Sequence, residues 1–285
     1  MSGGLAIGPV GRAVALALAA ALAAPGAQPA WAQPSDSKLQ RLETWSQSHG
    51  WEAVGLLILD GRASCTGTLV RADIVLTAGH CLYDHKTGTY TDPRRVQFRA
   101  GWRNGRAVAV RWGKTALVDP GFVSASGQKG LQIRNDLALI RLKSPIPSTH
   151  ARPFPVGGHL SSGETVSVVS YGAGRNDAPS RQARCEVLDT GAGLAAFSCS
   201  VVHGSSGAPV FSGPAGRVKI ASVISSMAEV DGKPVAFGMD ATGPVSRLLA
   251  DMRAGRGVYP AHATGARRLS VGARHTAGGA RFLKP

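Results

Sequence analysis

The sequence lacks any apolar run long enough to cross a bilayer as a helix. The stretch at 13–24 is shorter than the roughly 20 residues that a spanning helix needs, and nothing later in the chain exceeds eighteen. Arg12 precedes this stretch and Ala30-Trp31-Ala32 follows it, which is the arrangement of a secretory signal peptide with a small-x-small cleavage site. A membrane anchor is the alternative. The short run favours a signal peptide over residues 1–32 and a secreted or periplasmic product without a membrane span.

Acidic residues are absent from residues 254–285, which consist mainly of Gly, Ala and Arg. The isolated apolar residues of this segment repeat neither every two nor every 3.6 positions. It therefore cannot bury enough surface to offset the entropy of ordering it, and a disordered basic tail is predicted. Binding of nucleic acid or an anionic surface by its arginines is the alternative. A solvated tail is the commoner outcome for such charge runs, so no specific nucleic-acid partner is expected.

Cysteines are few, and none are spaced as metal ligands. No two of the four lie two to four residues apart, which argues against a zinc site. In a chain addressed for export, disulfides are expected, and four cysteines allow three pairings. Pairing between sequence neighbours is the simplest choice and joins Cys65 to Cys81 and Cys185 to Cys199.

Helical patterns are also scarce between the two ends. Most apolar runs there are four to eight residues long, rich in Val, Ile, Tyr or Phe, and separated by Gly, Pro, Asp or Asn. This spacing is typical of an all-β sandwich or barrel rather than of alternating β and α units. Strands are predicted over residues 54–59, 66–70, 74–77, 96–100, 108–112, 137–142, 166–171, 209–211, 218–225 and 236–240.

One helix is predicted over residues 244–252, because Pro244 stands near its first position and apolar residues recur at helical spacing. These apolar residues are Val245, Leu248, Leu249 and Met252. Residues 36–45 fit a shorter amphipathic helix, while residues 33–50 fit a linker or a short propeptide equally well. Four prolines within residues 144–155 divide the body into two halves of about a hundred residues each.

The most informative motif is Gly204-Ser205-Ser206-Gly207-Ala208-Pro209. A serine in such a turn is free of bulky neighbours, and Gly204 has the backbone freedom to turn its N–H outward. The N–H groups of Gly204 and Ser206 could then stabilise an oxyanion between them. A surface Gly/Ser turn is the alternative.

A second motif places a histidine directly after an apolar strand, in Leu76-Thr77-Ala78-Gly79-His80-Cys81. A lone histidine is usually structural or exposed. His80, however, would be pinned by the neighbouring disulfide, as a precisely placed general base requires.

A third motif opens a strand with an aspartate, in Asn135-Asp136-Leu137-Ala138-Leu139-Ile140-Arg141-Leu142. Asp136 at the buried end of a strand would be satisfied by a histidine N–H. A turn residue at the strand entry is the alternative.

In this order along the chain, LTAGHC, NDLALIRL and GSSGAP resemble the His, Asp and Ser blocks of chymotrypsin/trypsin-type serine peptidases. Subtilisins and α/β-hydrolases arrange the same groups in other orders. Cys65-Thr66-Gly67-Thr68-Leu69 also resembles the Cys-Gly-Gly-Ser-Leu of the family. The resemblance extends from about residue 54 to residue 252, which is nearly the whole body.

The resemblance implies an all-β fold of two six-stranded Greek-key barrels packed together, at about 51–147 and 148–243, with a C-terminal helix at 244–253. It implies a secreted serine endopeptidase that acts on a protein or peptide substrate through an acyl-enzyme. Ser206 would be the nucleophile, His80 the general base and Asp136 the group that orients the histidine. The Cys65–Cys81 bridge would clamp the histidine loop. No metal or other cofactor is implied, and a monomer is expected.

The chain departs from the family at the residue before the nucleophile. Ser205 stands where trypsin-like zymogens carry an aspartate that pairs with a newly cut N-terminus, and no Ile-Val-Gly-Gly-like start precedes Val54. Activation through that ion pair is therefore not expected. The chain looks more like the bacterial branch that includes the glutamyl endopeptidases.

Substrate preference is predicted from the same resemblance. Ser200 replaces the aspartate of the trypsin pocket, Ile224 replaces a histidine of glutamyl endopeptidases, and Met227 stands where a glycine often opens the pocket. Cleavage after a small or medium apolar P1 residue is predicted. The residues that the resemblance assigns to substrate binding are Ser200, His203, Ser225 and Met227.

A different function class fits the charge of the chain. The formal net charge is +15, and the body without its two ends keeps about +7. A basic pseudo-protease, which binds anionic surfaces on the same fold, is therefore the alternative to an enzyme. The complete set of His80, Asp136 and Ser206 favours the enzyme.

Overall fold

The protein is described by a computed structural model that covers Met1 and residues 37–84, 87–123 and 129–259. The predicted signal peptide, apart from Met1, and residues 260–285 of the predicted tail lie outside the described residues. Residues 254–259 of that tail are not disordered, because Ala254 ends the last helix and Tyr259 pairs with Ala116. Within the described ranges, no helix has the length and apolar character needed to cross a membrane. The strands are β1 (Leu39–Arg41), β2 (Val54–Leu59), β3 (Ala63–Arg71), β4 (Ile74–Thr77), β5 (Tyr83–Asp84), β6 (Thr89–Tyr90), β7 (Val96–Ala100), β8 (Ala109–Val118), β9 (Ala138–Leu142), β10 (Thr165–Ser170), β11 (Ser180–Gly191), β12 (Leu194–Phe197), β13 (Pro209–Ser212), β14 (Lys219–Val230) and β15 (Lys233–Asp240).

The first half forms a closed antiparallel barrel with the strand order β2-β3-β4-β9-β8-β7. The inward side chains of these strands fill the interior with apolar residues such as Leu57, Leu69, Val75 and Phe98. Closure leaves this barrel without free edges. The predicted all-β fold is confirmed for this half.

The second half forms a second six-stranded barrel in the order β11-β10-β13-β14-β15-β12, closed by pairing of β12 with β11. β1 pairs with the start of β11, where Leu39 lies opposite Gln182. Val168, Phe197 and Val210 belong to its interior. The prediction of two six-stranded barrels is confirmed.

A third apolar cluster joins the two barrels. It contains Leu76 and Leu139 from the first barrel together with Phe211 and Val223 from the second. The ends of β4, β9 and β13 therefore meet across one shared core, and loops at those ends can contact one another.

The helices are α1 (Trp45–Ser48), α2 (Lys129–Arg134) and α3 (Thr242–Ala254). α3 buries Val245, Leu248 and Met252 against the shared core, as the predicted helix at 244–252 requires. It begins two residues earlier than predicted, where Asp240 Oδ1 accepts a hydrogen bond of 2.8 Å from the N–H of Thr242.

The helix interpretation of residues 36–45 is wrong over residues 39–41, which form β1, and α1 begins only at Trp45. β11 and β12 were not predicted, and neither was α2. β11 was missed because its inward positions include the polar Ser180 and Gln182, both 2 % exposed.

Candidate active site

The His80 loop is held at the end of β4 by a disulfide. A short 3-10 turn (Gly79–Leu82) follows the strand, and Cys81 within it is bonded to Cys65 on β3. The second disulfide joins Cys185 to Cys199. Both predicted pairings are confirmed.

Asp136 holds the histidine at two points. Its Oδ1 accepts a hydrogen bond of 2.7 Å from the backbone N–H of His80, and its Oδ2 lies 2.6 Å from His80 Nδ1. The Asp136 side chain is 3 % exposed and that of His80 29 %. The imidazole is therefore oriented by a buried carboxylate while part of the ring reaches solvent.

Asp136 also accepts a third hydrogen bond. The hydroxyl of Ser225, on β14, donates to Asp136 Oδ2 at 2.5 Å. Ser225 is 8 % exposed. This predicted substrate-binding residue thus turns its side chain toward the carboxylate.

The environment of His80 shifts its pKa. Burial alone lowers the pKa of the imidazole, but the hydrogen bond that His80 donates to Asp136 and the negative charge of that carboxylate together outweigh burial. The pKa of His80 is therefore raised above its ordinary value.

The Ser206 turn lies against the strands that carry the histidine loop. Gly204 and Gly207 have φ values of +92° and +82°. A Cβ on Gly207 would lie 2.2 Å from Thr66 O and 3.0 Å from Ala78 N, so only glycine allows the turn to approach the segment just before His80. Within the described ranges, the Ser206 hydroxyl makes no hydrogen bond to the imidazole.

Thr66 fixes the carbonyl groups of this turn. Its N–H donates to Ser206 O at 2.9 Å, and its Oγ1 donates to Gly204 O at 3.1 Å. Among the described residues, the N–H groups of Gly204 and Ser206 have no acceptor. Two donors beside a half-buried serine are therefore available to an external oxygen.

The sequence over residues 44–224 matches the family model of trypsin. The chain belongs to the trypsin family. This is a family of serine endopeptidases, and the confirmed double barrel is the fold that the resemblance implied.

Two curated proteins are similar to this chain in sequence, and two solved structures are similar to it in fold. Trypsin delta and trypsin gamma of Drosophila erecta are each 28 % identical to this chain over 180 residues, covering 54 % of this chain and 66 % of each relative. The chain thus spans just under two thirds of their length. A Glu endopeptidase in complex with MPD has a TM-score of 0.63 at 18 % identity, covering 78 % of this chain and 99 % of its own. The thermostable serine protease AL20 from an extremophilic microorganism has a TM-score of 0.56 at 18 % identity, covering 69 % and 94 %.

The remaining predicted specificity residues lie at or near the surface. Ser200 and His203 are exposed, and Met227 is 40 % exposed. Ile224, by contrast, packs in the interior of the second barrel. Ser200, His203 and Met227 are therefore accessible to a ligand, and Ile224 is not.

A metal site at His80 does not fit the chemistry of its neighbours. The ligand atoms of Cys65, His80 and Cys81 lie within 4.8 Å of one another. Both sulfurs, however, are engaged in the disulfide and offer no thiolate.

Arg175 was not predicted from the sequence; its Nη2 donates to Ser205 Oγ at 3.0 Å directly behind Ser206. Arg175 is a single arginine in the glycine-containing stretch at 172–176. Nothing in this local sequence distinguishes a buried arginine from a solvent-exposed one. Its role depends on a contact between segments 30 residues apart.

Proposed function

We propose that this chain is a secreted serine endopeptidase that cleaves peptide bonds through an acyl-enzyme formed on Ser206. The observation that carries the proposal is the two-point hold of Asp136 on His80, through the backbone N–H and Nδ1. A proton on Nδ1 leaves the other ring nitrogen, Nε2, with the lone pair of a general base.

The proposed reaction has two stages. Nε2 of His80 takes the proton of the Ser206 hydroxyl as its oxygen attacks the scissile carbonyl. The proton then passes to the leaving amine as the C–N bond breaks. Water repeats the sequence on the acyl-enzyme, with His80 as base, and releases the acid product. The absence of a Ser206–His80 hydrogen bond is compatible with this scheme, because such contacts often tighten only when substrate binds.

The N–H groups of Gly204 and Ser206 would stabilise the oxyanion of each tetrahedral intermediate. The carbonyls that share a peptide plane with these N–H groups, His203 O and Ser205 O, accept hydrogen bonds from Ala173 N and Ala208 N, so the donors need little reorganisation. One such donor contributes about 3–4 kcal/mol to the transition state.

For specificity we propose a small or medium apolar P1 residue, since Ser200 offers no charge to an Arg or Lys side chain. Cleavage of a peptide library chiefly after Arg, Lys or Glu would refute this preference.

We also propose export by the signal peptide at 1–32. The two disulfides suit an oxidising compartment. N-terminal sequencing of the protein released by an exporting host should begin at Gln33.

Labelling with a fluorophosphonate tests the nucleophile. The wild-type protein should be labelled and should hydrolyse peptides, and Ser206→Ala should do neither. Ser246→Ala, which removes an exposed hydroxyl on α3, is the matched control and should behave as wild type. Equal labelling of the wild type and Ser206→Ala would refute the proposal, and an unreactive wild type would favour the pseudo-protease alternative.

A further inference from the structure

Arg175 lies in the turn after β10 and reaches toward the nucleophile turn. Its Nη1 donates to Ser170 O at 2.8 Å, and its Nη2 donates to Ser170 Oγ and Ser205 Oγ at 3.0 Å each. Burial lowers the pKa of Arg175 to about 10, so the guanidinium still carries its charge at neutral pH. One cation therefore joins the end of β10 to the turn that contains Ser205.

The hydroxyl of Ser205 has no spare hydrogen-bonding capacity. It accepts from Arg175 Nη2 and from the N–H of Val202 at 3.2 Å, and it donates to Tyr171 O at 3.1 Å. One donor and two acceptors are all that a serine hydroxyl offers. Ser205 is 1 % exposed, so a lost partner could not be replaced easily by water.

Two backbone contacts place the Arg175 turn directly beneath the oxyanion donors. The N–H of Ala173 donates to His203 O at 2.7 Å. A Cβ on Gly204 would lie 3.2 Å from the Cα of Gly172. The position of Gly204 thus depends on the turn that Arg175 braces.

Within the described part of the chain, the hydrogen-bond partners of Arg175 are all neutral oxygens. Its Nε is buried without a partner there. A partly buried cation without a counter-ion costs free energy, which these hydrogen bonds must offset. The segment from Ser37 through β1 does not take the place of Arg175 beside Ser205, because it is paired along β11.

We propose that Arg175 is a positioning residue that holds the 202–206 turn in its oxyanion-binding conformation, without an ion pair from a newly cut N-terminus. The inference rests on the proposed function. Under this proposal the active site becomes competent when the chain folds, and no cleavage that creates a new N-terminus is needed.

The test compares Arg175→Met, Arg175→Lys and the matched control Arg184→Met, an exposed arginine on β11. Arg175→Met should lower kcat and the fluorophosphonate labelling rate on the order of 100-fold, the loss expected for one misplaced oxyanion donor. KM should stay within about threefold, because the interaction acts on the transition state. The kcat and labelling rate of Arg175→Lys should lie between those of the wild type and Arg175→Met, and those of Arg184→Met should match the wild type.

Thermal unfolding of each variant shows whether it folds. Wild-type kinetics in a folded Arg175→Met protein would overturn the proposal. If that variant does not fold, the kinetics of the folded Arg175→Lys variant are the test. A lower kcat with unchanged KM supports the proposal, and wild-type kinetics overturn it.

A second arm extends the mature chain by two residues before Gln33. Unchanged labelling supports the proposal, and loss of labelling would show that a free N-terminus is needed and overturn it. Failure of the proposed function is distinguishable, because the wild type would then show no Ser206-dependent labelling.

Discussion

At the residue scale, the two oxygens of Asp136 receive three hydrogen bonds, from His80 N, His80 Nδ1 and Ser225 Oγ. The carboxylate therefore fixes the position of the histidine backbone and the plane of its ring at once.

The raised pKa of His80 gives a pH prediction. As the pH falls through this pKa, Nε2 takes up a proton and the base is lost. The acid limb of kcat/KM should therefore have its midpoint above the ordinary histidine value of about 6.5. In Asp136→Asn the carboxylate no longer offsets the effect of burial on the pKa of His80, so the acid limb of kcat/KM should move to lower pH. At the same time kcat should fall on the order of 10⁴-fold.

Asp73→Asn provides the control for this pH profile. Asp73 pairs with Arg141 at 2.9 Å, away from the imidazole, so its removal should leave the limb in place. An acid limb that did not move in Asp136→Asn would contradict the assignment of His80 as the titrating base.

Ser225→Ala removes one of the three donors to Asp136. A hydrogen bond to a charged group contributes about 1.5–3 kcal/mol, so kcat should fall at least about tenfold with little change in KM. The neighbouring Ser226→Ala is the control and should match wild type. Steady-state kinetics that showed only a raised KM would instead assign Ser225 to direct substrate binding.

His80, Asp136 and Ser206 were predicted as a set from three motifs and their resemblance to a known family, and the structure brings His80 and Asp136 into contact. The orientation of Ser225 toward Asp136 and the contact of Arg175 with Ser205 could not be predicted. They depend on segments 89 and 30 residues apart in sequence that meet only in the folded chain.

At the element scale, the two disulfides differ in what they hold. Cys65–Cys81 joins β3 to the His80 turn, whereas Cys185–Cys199 joins β11 to the segment after β12. They close loops of similar length, with sequence separations of 16 and 14 residues. Their effects on stability should therefore be alike and their effects on activity different.

Replacing either cysteine pair with alanine should lower the free energy of unfolding by about 3 kcal/mol. Only the Cys65/Cys81 double variant should also lose most of its kcat, since its histidine loop is no longer clamped. Denaturant unfolding and steady-state kinetics measure the two quantities. Equal losses of kcat in both double variants would contradict the clamp.

Short strands such as β2, β4 and β7 were predicted with their exact bounds because the apolar residues that mark them lie within each strand. β11 was not, because Ser180 and Gln182, which lie opposite residues of β1 and β10, are buried although they are polar. The same pairing, which no local pattern encodes, makes residues 39–41 a strand.

At the scale of the whole molecule, the shared core couples the two barrels. Leu139 and Phe211 come from different barrels and belong to one buried cluster. Neither barrel can open without exposing apolar surface of the other.

Leu139→Ala should therefore lower the free energy of unfolding by about 3 kcal/mol, and both barrels should still unfold in one transition. Leu188→Ala, at a position 44 % exposed, is the control and should change stability little. Calorimetry checks this, and two separated transitions would contradict the coupling.

The pairing of β1 along β11 limits where a processing enzyme could trim this chain. Leu42 is 2 % exposed, and Trp51 packs on Phe211 with ring centroids 5.2 Å apart. Removal of residues through 50 would strip a sheet edge and uncover apolar surface. Any trimming that leaves a soluble product should therefore stop upstream of Leu39.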